Sequence, residues 1–181
     1  MVTAAELLSS AAFLEGKYAQ AFPSFGSERM GAPVMAFCRI DDKAIRLREP
    51  VTKPDALIIQ DPTLLQQVEL FEGLGQSGYI LLNSSRSFEE LGLGEFVGKF
   101  PAGHCLSVAA TEAAMRHIGR PLPNAALLGG FAGLSGLLKI DSVLAAIAEK
   151  FSAKIADANA AAAREAFESV LRTRSEETVH A

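Results

Sequence analysis

The stretch Gly16–Arg48, GKYAQAFPSFGSERMGAPVMAFCRIDDKAIRLR, decides how this 181-residue chain is put together. It reads as an extended run, a loop, a second extended run and a tight polar turn. KYAQAF and PVMAFCRI are strand-like, because Val, Phe, Tyr and Ile suit a pleated, half-buried surface. Between them, PSFGSERMGAP carries two Gly, two Pro, two Ser and one Arg. Such a composition admits positive φ and leaves backbone N–H groups free to face a ligand or a partner. An ordinary long hairpin loop accounts for the same residues without any ligand.

Working outward toward the N-terminus, Thr3-Ala4-Ala5-Glu6 fits a capping box. Leu7, Leu8, Ala11, Ala12 and Phe13 supply a helical apolar face, and Gly16 is a natural stop. In doubly wound folds the first strand is central and its Gly-rich turn feeds the first helix. That strand and turn are absent here, and the expectation is that they lie upstream of Met1. Toward the C-terminus, Asp41-Asp42-Lys43 makes a turn, KAIRL a short third strand, and Pro50 and Pro54 punctuate a connector. DALIIQD and the run Tyr79–Leu82 are continuous apolar stretches ending in polar residues, the mark of buried parallel strands. HCLSV reads as a further strand and Ala109–Gly119 as a helix. Asn124 caps a helix through AALLGGFAGLSGLL, whose four glycines cost about 1 kcal/mol each against Ala. A close backbone or a subunit surface must compensate them. Asp141-Ser142 caps the next helix, and Ala153–Arg172 forms another. The predicted fold is α/β: a Rossmann-like open sheet, mostly parallel, with an inserted β-hairpin and C-terminal helices. Residues 1–172 form a single domain and 173–181 a flexible tail.

A net charge of −4 gives no electrostatic case for nucleic acid or anionic membrane. No apolar run approaches the ~18 residues of a membrane span, and the N-terminus lacks the basic region of a signal peptide. Cys38 and Cys105 each sit in an apolar run, as buried thiols of a cytoplasmic protein do. No C-x-x-C is present, so the chain holds no iron–sulfur cluster of its own. His104, His117 and His180 are isolated from other metal-ligating residues. His104 and Cys105 are strand neighbours on opposite faces, which rules out a dyad. The polar strand ends are better candidates, since ligands of open α/β sheets bind beyond the carboxyl ends. They carry Gln60-Asp61, Asn83-Ser84-Ser85-Arg86 and Ser107. Arg86 can meet a phosphate and the serines can donate to one; helix capping explains the same residues equally well. Arg29 is either an anion contact or a salt bridge across a subunit interface.

Several uncommon strings then occur in a shared order. YAQAFPSFGSERMGAPVMAFCRI, with VTAAELL before it and DALIIQDPTLL and HIGRPLPNAALLGGFAGLSGL after it, resembles the γ subunit of the 2-oxoacid:ferredoxin oxidoreductases, pyruvate type above all. The likeness covers nearly the whole chain; the GxGGQG-like string that such subunits carry before VTAAELL is not present. It implies a complex that cleaves a 2-oxoacid with thiamine diphosphate and Mg, passes electrons through [4Fe–4S] clusters to ferredoxin and forms acyl-CoA. It further implies that no cofactor is bound by this chain alone, and that α, β and δ (ferredoxin-like) subunits are its partners. Ser24, Phe25, Gly26, Arg29 and Gly31, with Asn83 and Ser84, become residues facing coenzyme A or a subunit interface. The hairpin and the Ala125–Leu138 run become contact surfaces. If the Gly-rich turn is missing, so is any phosphate cradle it would supply. Two rival readings remain: a free-standing flavodoxin-like nucleotide-binding module, and a scaffold homodimer held by the glycine-rich helix.

Overall fold

A computed structural model describes residues 1–24, 34–66 and 68–180. Its chain order is α1 (Val2–Leu14), β1 (Tyr18–Ser24), β2 (Met35–Asp41), β3 (Ala56–Ile59), β4 (Tyr79–Asn83), α2 (Gly94–Val97), β5 (Cys105–Val108), α3 (Ala110–His117), α4 (Asn124–Ser135), α5 (Ile140–Lys150) and α6 (Ala153–His180), with short 3-10 helices at Pro62–Gln66 and Val68–Phe71. Strands β3, β4 and β5 form a parallel sheet in that order, with Ile58 opposite Leu81 and Leu81 opposite Leu106. Alternation along the strands divides the core. Leu81, Leu106 and Val108 face α3, α4 and α6, whereas Ile59, Ile80, Leu82 and Cys105 face the segments bearing Phe71, Phe88, Phe96 and Phe100. Both faces are covered, so the strands carry no polar side chain until Asn83 and Ser107. Ile80, Leu81 and Leu82 are each 0% exposed, which is what their uninterrupted apolar run predicts.

The inserted hairpin is a separate antiparallel ribbon, in register from Tyr18 opposite Asp41 to Ser24 opposite Met35. Ala19 and Ile40, neighbours on one face, pack against the cluster built by α1, α4 and α5. The other face carries Phe22 and Phe37, whose rings tilt together at 5.4 Å.

The α4 glycines are compensated inside the chain. Residues Ala125 to Leu134 are all buried. A Cβ on Gly129 would lie 2.8 Å from Ala163 Cα and 2.6 Å from its carbonyl carbon, so the α4 and α6 backbones meet directly. Gly133 lies against the Phe167 carbonyl in the same way, 3.0 Å from where its Cβ would be. Close approach of another backbone, one of the two expected compensations, is therefore the operative one. Of the Ala125–Leu138 run anticipated as a subunit contact surface, Ala125–Leu134 is covered by the chain itself, whereas Gly136 and Leu137 are exposed. Gly136 then ends α4 in the left-handed region at φ 63°.

Other local expectations are corrected. Residues 43–48 form no strand, having no ladder partner; Lys43 N–H instead donates to Asp41 Oδ1 at 3.1 Å, closing a turn. Thr3 and Glu6 make no capping box: α1 starts at Val2, no side chain caps it, and Glu6 pairs with Lys150 on α5 at 2.5 Å. Asn124 and Asp141 likewise lie inside the first turns of α4 and α5 instead of capping them. Helix α6 passes Arg172 and continues to His180, where Arg174 and Thr178 pack on Gly103 and Glu177 accepts the Gly103 N–H at 3.1 Å. No helix among the described residues is long and apolar enough to cross a membrane.

Candidate functional site

The carboxyl ends of β3 and β4 and the start of α3 border an open cavity of about 240 Å3, lined by Pro62, Asn83, Ser84, Ser85, Thr111 and Glu112. Its shape follows from the parallel sheet: the strands end together, and the polar residues that terminate each apolar run are gathered on one rim. Asn83 is the organising side chain. Its Nδ2 donates to the Gln60 carbonyl at 2.9 Å and to Thr111 Oγ1 at 2.8 Å, and its Oδ1 accepts the Thr111 N–H at 3.1 Å. One buried amide thus ties the end of β3, the end of β4 and the first turn of α3. These bonds use both Asn83 donors.

The neighbouring polar groups are also engaged within the chain. Ser84 Oγ accepts the Arg86 N–H at 2.9 Å. The Arg86 guanidinium turns back onto the Glu90 carbonyl, and Glu90 accepts the Ser87 N–H at 2.7 Å. Asp61 accepts from both the N–H and the hydroxyl of Thr63, at 2.9 and 2.7 Å, and these bonds hold its carboxyl below the usual range. The cavity therefore offers the hydroxyls of Ser84, Ser85 and Thr111 together with the Glu112 carboxylate. That set suits hydroxyl, amide or amine groups, whereas a bare phosphate would meet Glu112.

A second cavity, of about 380 Å3, opens at the opposite ends of the strands between the hairpin and the end of α4. It is lined by Ile40, Asp55, Ala56, Tyr79, Phe131, Ser135 and Leu137. Beside Tyr79, the His104 ring stacks at 4.2 Å and its Nδ1 faces the Ser77 and Gly78 carbonyls at 3.1 and 3.3 Å. Two acceptors at Nδ1 fix the proton there, which makes His104 a structural fastening at the base of the sheet.

Of the expected site residues, Asn83 and Ser84 are brought together in the strand-end cavity. Ser24 belongs to the other sheet, opposite Met35 at the far end of the hairpin. Phe25, Gly26, Arg29 and Gly31 lie outside the described residues. Sequence reasoning did not single out Thr111 or Glu112, although the expected helix following HCLSV signalled that its first turn would reach the strand ends. It also passed over Arg39, which stands over the Phe22 ring at 5.4 Å and donates from Nη2 to the Glu49 carbonyl at 2.6 Å.

The [4Fe–4S] clusters implied by the resemblance do not fit this chain's described residues. Among them, no group of three or more His, Cys, Asp or Glu side chains is placed to hold a metal. Cys38 and Cys105 lie in different sheets, and burial pushes each thiol up to about 12. Cluster ligation needs thiolates, several together.

A family model described as pyruvate ferredoxin/flavodoxin oxidoreductase matches residues 1–169. The chain is 47% identical over 167 residues to the pyruvate/ketoisovalerate oxidoreductases common subunit gamma of Pyrococcus abyssi, covering 92% of this chain and 89% of that one. It is 46% identical over 173 residues to pyruvate synthase subunit PorC of Methanothermobacter thermautotrophicus, covering 96% and 91%. Among solved structures, the pyruvate oxidoreductase subunit PORC of Thermotoga maritima superposes with a TM-score of 0.73 at 35% identity, covering 92% of this chain and 88% of the other. The gamma subunit of a keto/oxoacid ferredoxin oxidoreductase from Geobacter sulfurreducens shares the fold, with a TM-score of 0.66 at 21% identity and coverage of 94% and 91%.

Proposed function

The chain belongs to the pyruvate ferredoxin/flavodoxin oxidoreductase family, and from that premise we propose that it is the γ subunit of a multi-subunit 2-oxoacid:ferredoxin oxidoreductase, with pyruvate as the oxoacid. The observation that carries this reading is the 47% identity to a common subunit gamma across 92% of this chain and 89% of that relative. In the proposal the complex works in the cytoplasm. Thiamine diphosphate with Mg, and the [4Fe–4S] clusters that deliver electrons to ferredoxin, reside on the α, β and δ (ferredoxin-like) subunits. Together these groups supply oxidative decarboxylation of the oxoacid and transfer of its acyl group to coenzyme A.

This chain's own part is positioning. The hairpin reaches toward the neighbouring subunits, and Ser24, Phe25, Gly26, Arg29 and Gly31 are proposed as its contacts with them and with coenzyme A. Asn83 holds the strand-end rim in shape, and the Ser84 hydroxyl is offered to the uncharged amide and hydroxyl groups of the coenzyme A arm. Hydroxyls beside Glu112 support that assignment over one to the phosphates. The relative's gamma subunit is named as common to pyruvate and ketoisovalerate enzymes, which supports placing oxoacid selection on other chains.

Co-expression with the other subunits tests the reading. The expected result is a complex that loses 2-oxoacid-dependent ferredoxin reduction when this chain is omitted, while the isolated chain turns over nothing. A chain that stays alone in the presence of those subunits, or a complex equally active without it, overturns it. Within an active complex, Ser84→Ala is expected to raise the KM for coenzyme A severalfold with kcat little changed.

A further inference from the structure

The hairpin and the segment that follows it are one surface. Arg39 on β2 donates to the Glu49 carbonyl at 2.6 Å, fastening the far end of the 43–49 segment to the ribbon. That segment carries Lys43, Arg46 and Arg48, all exposed, and none of them has an ion-pair partner among the described residues. Of the acids beside them, Asp42 pairs with Lys17 at 3.0 Å, Asp41 accepts the Lys43 N–H, and Glu49 stands exposed next to Arg48. Three exposed cations without an ion-pair partner among the described residues thus stand within Lys43–Arg48, in a chain whose net charge is −4. Apolar side chains stand among the cations, with Met35 53% and Leu47 61% exposed. Arg39 lies across the Phe22 ring, and its Nη1 is buried without a hydrogen-bond partner among the described residues.

Resting on the reading of this chain as one subunit of a larger complex, we propose that the outer face of the hairpin, together with the Lys43–Arg48 segment fastened to it, is the docking surface for an acidic face of a neighbouring subunit. Charge complementarity selects the occupant. Exposed cations contribute little to the stability of the isolated chain, but they steer and orient an oppositely charged partner. The apolar groups between them supply the contact area that a purely ionic surface lacks. Arg39 is a positioning residue: its guanidinium, held over the Phe22 ring and on the Glu49 carbonyl, keeps the cationic segment against the ribbon, so little freedom is lost when a partner arrives.

The test uses the co-expressed complex with an affinity tag on another subunit. The triple variant Lys43→Glu, Arg46→Glu, Arg48→Glu is expected to lower the recovered fraction of this chain at least about tenfold. Its thermal midpoint in isolation should stay at the unsubstituted value, because all three side chains are exposed. Unsubstituted chain should be released progressively as salt is raised, and Arg39→Met should also weaken recovery. A triple variant recovered as fully as the unsubstituted chain overturns the docking surface while leaving the subunit reading intact. If the unsubstituted chain never enters the complex, both fall. Calorimetric titration of the isolated chain with inorganic diphosphate adds a further arm. Binding lost in the triple variant, with assembly unchanged, would identify a small-anion surface and overturn the proposal.

Discussion

Asn83 and Gly129 show what single residues do here. Asn83 bonds to groups from three elements, so Asn83→Ala strands the Gln60 carbonyl and the Thr111 N–H at the strand ends. The expected cost is about 2 kcal/mol, read as a lower midpoint in chemical denaturation. Gly129→Ala places a methyl group into the Ala163 backbone and should cost about 3 kcal/mol or more, while leaving Ala125 and Ala126, already methyl-bearing neighbours on α4, unaffected as controls. Cys38 and Cys105, with thiols pushed up to about 12 by burial, should resist a thiol reagent at neutral pH until the chain is denatured. Rapid labelling of either in the native protein would contradict their placement. The sequence reading marked Asn83 and the glycines as positions of consequence. It left open what they do, because each answer lies far along the chain: Thr111 is 28 residues from Asn83, and Ala163 belongs to a different helix from Gly129.

At the level of elements, β3 and β4 were legible because a strand covered on both faces needs an unbroken apolar run, and few other structures do. The hairpin was legible from its β-favouring residues and the Gly/Pro/Ser loop between them. KAIRL was not, since a strand exists only where a neighbour offers hydrogen bonds, and the composition of 43–47 says nothing about that. The capping signals also failed. Thr3, Asn124 and Asp141 have the right chemistry, yet the helices start at Val2, Asn124 and Ile140, so none of the three stands at the N-cap. The contact between α3 and α6 makes a prediction of its own. Glu165 accepts from Arg116 and, at 2.6 Å, from His117, and these partners hold its carboxyl below the usual range. A depressed carboxyl stabilises the fold above its ordinary pKa, and that contribution disappears as pH falls through the lowered value. Glu165→Gln should therefore flatten the fall of the thermal midpoint between about pH 5 and pH 3. The effect is modest because all three side chains are partly exposed.

For the molecule as a whole, the long ordered likeness was readable from sequence because it spans nearly the entire chain, whereas the strand-end cavity was readable only as a list of terminal residues. Which of those side chains have hydrogen bonds left to give depends on partners in other elements. The subunit reading carries a prediction at this scale. Pairing this chain with catalytic subunits that prefer a branched-chain oxoacid should leave their preference where it was, measured as the ratio of kcat/KM for the two acids. A preference that followed this chain would place selection in it. Helix α4 has a last consequence. A rod enclosed by the sheet, α1, α5 and α6 has no side from which it can fray, so its amide protons trade with deuterium only when the entire body opens. They should be the last in the chain to exchange, at a rate that reports global unfolding, while the hairpin amides exchange by local opening and slow down once a neighbour settles on them.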